Sequence, residues 1–138
     1  MRGLRGGALV VRYESSQRVA PVEEPACPRQ WFVSVDHVDE HGDTVETVGY
    51  VVLRASAEGL VVDALRFKAQ WRERGLEPLV VGMAIDHLGA GRPVVWRAGE
   101  PGPVERLGFE PVGDGRWRLD PASVRLADVL EDLRADLA

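Results

Sequence analysis

Apolar positions fall in short runs broken by polar residues, glycine and proline over most of this chain, and gather into a helical stripe only at its end. Ala8 to Tyr13 reads as a first strand. Residues 15–30, with Pro21, Pro25 and Pro28 and no helical period, read as a loop. Trp31–Val38 and Val45–Arg54 read as strands joined by the polar hairpin turn Asp39–Asp43. Leu60–Phe67 is the next strand. Pro78–Leu88 is almost wholly apolar and predicts a helix buried on most sides, opening at Pro78 and closed by Gly89 and Gly91. Pro93–Arg97 is a short strand, and Val104–Leu107 is barely one helical turn. Phe109–Val112 and Arg116–Leu119 pair across Gly113–Gly115. Asp120-Pro121 opens a last helix, Ala122–Leu137, whose Leu126, Leu130, Leu133 and Leu137 share one face. This order predicts an α/β architecture, with helices laid against a mixed central sheet.

Length and composition narrow the classes. At 138 residues, 28% charged and 45% hydrophobic, the chain has the make-up of one soluble globular domain with its own core. A net charge of −5 argues against nucleic acid as a general partner. Cys27 is the only cysteine, so no intramolecular disulfide forms, in keeping with a reducing compartment. The apolar run Ala8–Val11 is too short for a secretory signal, and no stretch is long enough to span a membrane. A cytoplasmic location and no membrane partner are the expectation.

The most chemically suggestive segment lies between the Leu60 strand and the Pro78 helix: Gln70-Trp71-Arg72-Glu73-Arg74-Gly75-Leu76-Glu77. A tight turn feeding a helix N-terminus directs unpaired backbone N–H groups outward, and these suit a phosphate or pyrophosphate. Arg72 and Arg74 add positive charge. The segment Arg72–Glu77 resembles the R-x-x-G-x-G/A acyl-CoA pyrophosphate loop of the GNAT N-acetyltransferase superfamily. Val104-Glu105-Arg106-Leu107-Gly108-Phe109, downstream, is similar to that family's Y-E-R/K-L-G-F segment. The resemblance covers roughly residues 31–119 and implies a single GNAT-like domain over 1–138. In it a mixed, mostly antiparallel sheet is flanked by helices, and 121–138 is an appended C-terminal helix. It implies transfer of an acetyl or other acyl group from acyl-CoA to an unidentified amine. Leu65, Arg66 and Phe67 would align the pantetheine arm, and Arg72, Glu73, Arg74, Gly75, Leu76 and Glu77 would hold the pyrophosphate.

The chain departs from that family at three points. Glu77 stands where the family usually has Gly or Ala; pointing in, it competes with the anion, and pointing away, it leaves binding intact. Val104 replaces a tyrosine that protonates the leaving thiolate in many members. Residues 15–30 cannot supply the two helices that usually shape the acceptor pocket. These departures favour the rival reading, a non-catalytic interaction or regulatory protein that kept the fold.

On the Leu60 strand, Asp63 has two readings: the general base for the acceptor amine, or a salt-bridge partner. His37 and His41, with Asp36, Asp39, Glu40 and Asp43, carry metal-ligand atom types, but a hairpin turns neighbouring side chains to opposite faces. No metal is expected. His87 is expected to interact with its helix C-terminus. The leucine stripe of Ala122–Leu137 either closes over this chain's own sheet or buries against a second copy or a protein partner.

Overall fold

The computed structural model describes residues 7–17, 29–72, 75–89, 91–99, 102–120 and 126–137. The strands are β1 (Gly7–Gln17), β2 (Arg29–Asp39), β3 (Thr44–Ser56), β4 (Gly59–Phe67), β5 (Val94–Trp96), β6 (Glu110–Gly113) and β7 (Arg116–Leu119). The helices are α1 (Ala69–Arg72), α2 (Leu76–Leu88) and α3 (Leu126–Leu137), with a 3₁₀ helix at Gly102–Leu107. All seven strands form one sheet in the order β1-β2-β3-β4-β5-β7-β6. Every neighbouring pair is antiparallel except β4 and β5, which run parallel.

In β2 and the middle of β3, β-branched and apolar residues alternate with other positions, so one face can be buried, whereas β4 opens with the buried run Leu60–Val62. Val33, Val35, Val51 and Leu53 are fully buried on that face. Leu79, Val80, Val81, Ala84 and Ile85 of α2 join them in one core cluster. The opposite face is wetter: Phe32 is 43% exposed and stacks on Tyr50, ring centroids 5.2 Å apart.

Helix α2 is buried on nearly all sides because it lies between the sheet and α3. Gly82 makes that fit. A Cβ there would stand 2.5 Å from Leu130 Cδ2 and 3.0 Å from Leu107 Cδ2, so the missing side chain lets α3 and the 3₁₀ helix close onto α2. Leu126, Leu130 and Leu133 are accordingly buried, at 8, 3 and 1% exposure. Among the described residues of the stripe, Leu126, Leu130 and Leu133 thus pack where α3 meets α2 and the 3₁₀ helix of its own chain.

Several boundaries differ from the pattern reading. Strand β1 continues to Gln17, pairing with β2 as far as Gln17–Arg29; Glu14 and Ser15 are exposed, as polar residues of an edge strand can be. Helix α2 starts at Leu76 and not at Pro78. Proline still sits in the first turn, where its missing N–H has no intrahelical acceptor. The expected turn contains a single helical turn, α1, which buries Trp71. His87 meets the Tyr13 ring at 4.6 Å, a lateral contact with β1. Residues 121–125, the expected start of the last helix, lie outside the described residues.

Candidate functional site

The pairing of β4 creates the site. Strand β5 accompanies β4 only at Leu60–Val94, Val61–Val95 and Val62–Trp96, and the contact closes with Arg97 N–H donating to Val62 O at 2.9 Å. Beyond Val62, Ala64–Phe67 pair with β3 alone among the described residues. The carboxyl end of a parallel pair is where open α/β sheets bind ligands, because the strands diverge there and helix N-termini converge. A register shift between Val52 and Leu53 leaves Asp63 as the extra residue of a β-bulge at the point where β5 stops. Bulges re-aim side chains and often stand beside sites.

A cleft of about 430 Å³ opens at this end of β4, lined by Leu65, Arg66, Phe67, Ala69, Arg72, Glu77 and Ala98. Five of the residues expected to hold acyl-CoA therefore line one cavity: Leu65, Arg66, Phe67, Arg72 and Glu77. Gly75 is not among the lining residues; it is the N-cap of α2, in the left-handed region at φ 76°, ψ 22°, with no side-chain cap. A residue with a Cβ would be strained in that conformation. Leu76 is 2% exposed, so its side chain belongs to the core and only its backbone is available to a ligand. Glu73 and Arg74 lie outside the described residues. Ala69 and Ala98 were not foreseen. Ala98 was findable in principle, since it follows the strand parallel to β4 and so must approach the same crevice.

Glu77 is 3% exposed, and its Oε1 accepts from Arg72 Nε at 2.5 Å. Glu77 lines the cleft, with its carboxylate paired to Arg72. A guanidinium has five N–H donors, so this contact leaves the four on Nη1 and Nη2, on a side chain 57% exposed. Two cations, Arg66 and Arg72, and one buried carboxylate therefore set the charge of the cleft.

Asp63 does not line it. Its Oδ2 accepts from Arg54 Nε at 2.6 Å across β3 and β4, and both side chains are about one quarter exposed, 28 and 27%. The salt-bridge reading of Asp63 is the one observed. Oδ1 keeps its lone pairs for a further donor.

A second cleft, of about 440 Å³, is lined by Thr47–Tyr50 and Arg66–Ala69, and so shares Arg66, Phe67 and Ala69 with the first. Behind it Glu46 accepts from Trp71 Nε1 at 2.7 Å and Gln70 Nε2 at 3.2 Å, with Lys68 Nζ at 3.7 Å. The Trp71 N–H holds the Glu46 carboxyl below its usual range; Lys68, His37 and Gln70 act in the same sense, against partial burial. This network ties α1 to β3 and fixes the start of the Arg72 turn.

His37 packs its ring against Trp71, centroids 5.8 Å apart, while His41 stands exposed beside Glu40. Among the described residues, no three His, Cys, Asp or Glu side chains are grouped to hold a metal ion. No helix among them is long and apolar enough to cross a membrane. The chain matches no protein-family model, no characterised protein and no solved structure.

Proposed function

We propose that the protein binds acyl-CoA in the cleft at the carboxyl end of β4 and transfers the acyl group to an amine. The observation that carries this reading is the open edge of β4. From Asp63 to Phe67 the strand lacks a neighbour on its β5 side among the described residues, and the first turn of α2 closes the same cavity. Pantetheine carries two amides on an extended chain. It can add to such an edge as a strand would, with main-chain hydrogen bonds supplying affinity. The pyrophosphate then falls at Gly75–Glu77, where helix N–H groups and the Nη donors of Arg72 converge. The strand–turn–helix order, and β4 lying beside a parallel β5, support a GNAT-like reading of the fold.

In the reaction, the amine nitrogen bonds to the thioester carbonyl carbon, the C–S bond breaks, and the amine proton and the thiolate are each resolved by a proton transfer. Asp63 lies outside the cleft lining, and with Arg54 holding Oδ2 it is our candidate to receive the amine proton at Oδ1 through a bridging water. Val104 has no proton to give, so water protonates the thiolate. This forgoes the roughly 10²–10⁴-fold that a positioned acid supplies.

A second reading is favoured by the Arg72–Glu77 pair. A buried carboxylate at the α2 N-terminus lowers the value of that site for a phosphate. It suits a protein that binds acyl-CoA weakly, as a sensor, without turnover. Calorimetry with acetyl-CoA tests both. One-to-one binding that weakens strongly in Arg72→Ala/Arg74→Ala supports the shared site; no binding removes both readings. Thiol release in the presence of a panel of amines then separates enzyme from sensor.

A further inference from the structure

The two edges of the sheet are built differently. At one end β6 is four residues long, contains Pro111, shifts register against β7 and ends at Gly113. Short length, proline and irregular register are the features by which an edge resists pairing with another chain. At the other end β1 has eleven residues, Gly7–Gln17, no proline and no lysine. It pairs with β2 through eleven consecutive positions with no register shift, so its outer edge is regular too. Among the described residues no strand lies beyond it. Leu9, Val11 and Tyr13 pack against the core yet remain only partly buried.

We infer that β1 is a self-association edge, and that a second copy of this chain pairs its own β1 antiparallel to it across a two-fold axis at Tyr13. The sequence of β1 selects both occupant and register. A two-fold perpendicular to the sheet keeps each side chain on its own face, so the axis must pass through a residue position. The charged side chains of β1 with described surroundings are Arg12 and Glu14, both exposed on the face away from α2. An axis at Arg12 opposes two arginines, and one at Glu14 opposes two glutamates. An axis at Val11 sets Arg12 against Val10 of the copy. The axis at Tyr13 sets each Arg12 opposite the other chain's Glu14, giving two complementary cross-strand pairs. Arg12 already meets Asp36 at 3.2 Å through Nε, which holds its guanidinium on that face. The product is a continuous sheet running through both copies, with the proposed acyl-CoA clefts remote from the joint.

Light scattering on the full chain over a range of concentrations should show a dimer. Glu14→Arg replaces both cross-strand pairs by like charges and should weaken association by about ten- to a hundred-fold. The register is read by cysteine pairing in a Cys27→Ser background. Tyr13→Cys should bridge to its own copy under mild oxidation. Val11→Cys should not, because the two Val11 positions then lie about 13 Å apart along the strands. Should Tyr13→Cys fail to fold, Val11→Cys chains mixed with Ser15→Cys chains report the same register, since those positions then face each other. A full-length chain that stays monomeric overturns the inference. So does a dimer indifferent to Glu14→Arg, or one bridged at position 11 and not at 13.

Discussion

Gly82 and Leu130 should behave as one packing unit, and a double-mutant cycle measures it. Leu130 is 3% exposed and places its Cδ2 2.5 Å from where a Cβ on Gly82 would stand. Leu130→Ala removes a buried side chain and leaves a hole, at a cost of about 2–5 kcal/mol. Gly82→Ala alone gains about 1 kcal/mol of helix propensity in α2. It also forces a methyl into occupied space, for which about 1–3 kcal/mol is typical. The single change is therefore neutral to destabilising. In the Leu130→Ala background the obstructing Cδ2 is gone. The methyl then refills part of the hole and keeps its helix gain, so the double variant should be more stable than Leu130→Ala by about 1 kcal/mol or more. Urea denaturation of the four proteins gives the coupling directly, provided the transitions are two-state with unchanged slopes. Additivity within about 0.5 kcal/mol would show that the two positions do not touch. It would also return the leucine stripe to the role of a free docking face. That face is what the sequence pattern allowed: a stripe of Leu126, Leu130 and Leu133 on an exposed helix should tolerate alanine within about 0.5 kcal/mol per site.

Gly49→Ala should cost about 1–3 kcal/mol and perturb the clefts, because its Cβ would meet the Phe67 ring at 2.5 Å and Arg66 O at 2.6 Å; thermal denaturation and acetyl-CoA calorimetry check the two effects. Arg72→Ala orphans the buried Glu77 carboxylate and should destabilise by about 1–3 kcal/mol, and Arg72→Ala/Glu77→Gln should recover part of that; equal losses in the two would show the pair to be unimportant. Glu46 has a folded pKa below its ordinary 4.5, so its contribution is full above that value and is lost as the pH falls through the depressed one. Glu46→Gln should therefore flatten the acid limb of a stability–pH profile, and an unchanged limb would refute the Trp71–Glu46 link. Tyr13, raised by burial and then by Asp86, should form phenolate above the ordinary tyrosine range in an ultraviolet titration, and its neutral form keeps the folded state favoured until that pH.

Much of the architecture was legible because local chemistry and global packing agree. The turn Asp39–Asp43 is signalled by polar residues and Gly42, and its Asp39 carboxylate does cap the loop, accepting from His41 N at 2.8 Å and Asp43 N at 3.0 Å. The apolar density of Leu79–Ile85 signals a helix covered on most sides, as found. What was not legible depends on single atoms at long range. Nothing in the spacing of Arg72 and Glu77 shows that a carboxylate in one helix would fold back onto the guanidinium ending the helix before it. Gly82 reads as a weak helix position, and its meaning appears only once Leu130 is beside it. The bulge that sets Asp63 apart needs the register of β3 against β4, which periodicity does not carry. The cleft was legible as a segment, Leu65 to Glu77, because its residues are near one another in sequence; Ala98 follows β5 and joins them only through the pairing of β5 with β4.

The short parallel join between β4 and β5 has a mechanical consequence. On one side stand the four antiparallel strands β1 to β4, and on the other the small group β5, β7 and β6. Among the described residues three pairs stitch the two groups within the sheet, and the seam begins at Gly59, φ 129°, where a Cβ would fall 2.1 Å from Pro93 O. Such a seam is the natural line of cleavage for the fold. Amides of Val94–Trp96 should exchange with solvent through partial openings that leave the β1–β4 amides protected. Under load, the sheet should part along this line before either half unravels. A ligand that laid a further strand along Asp63–Phe67 would lengthen the stitching at the place where it is shortest, and occupancy would be felt as stiffness across the whole sheet.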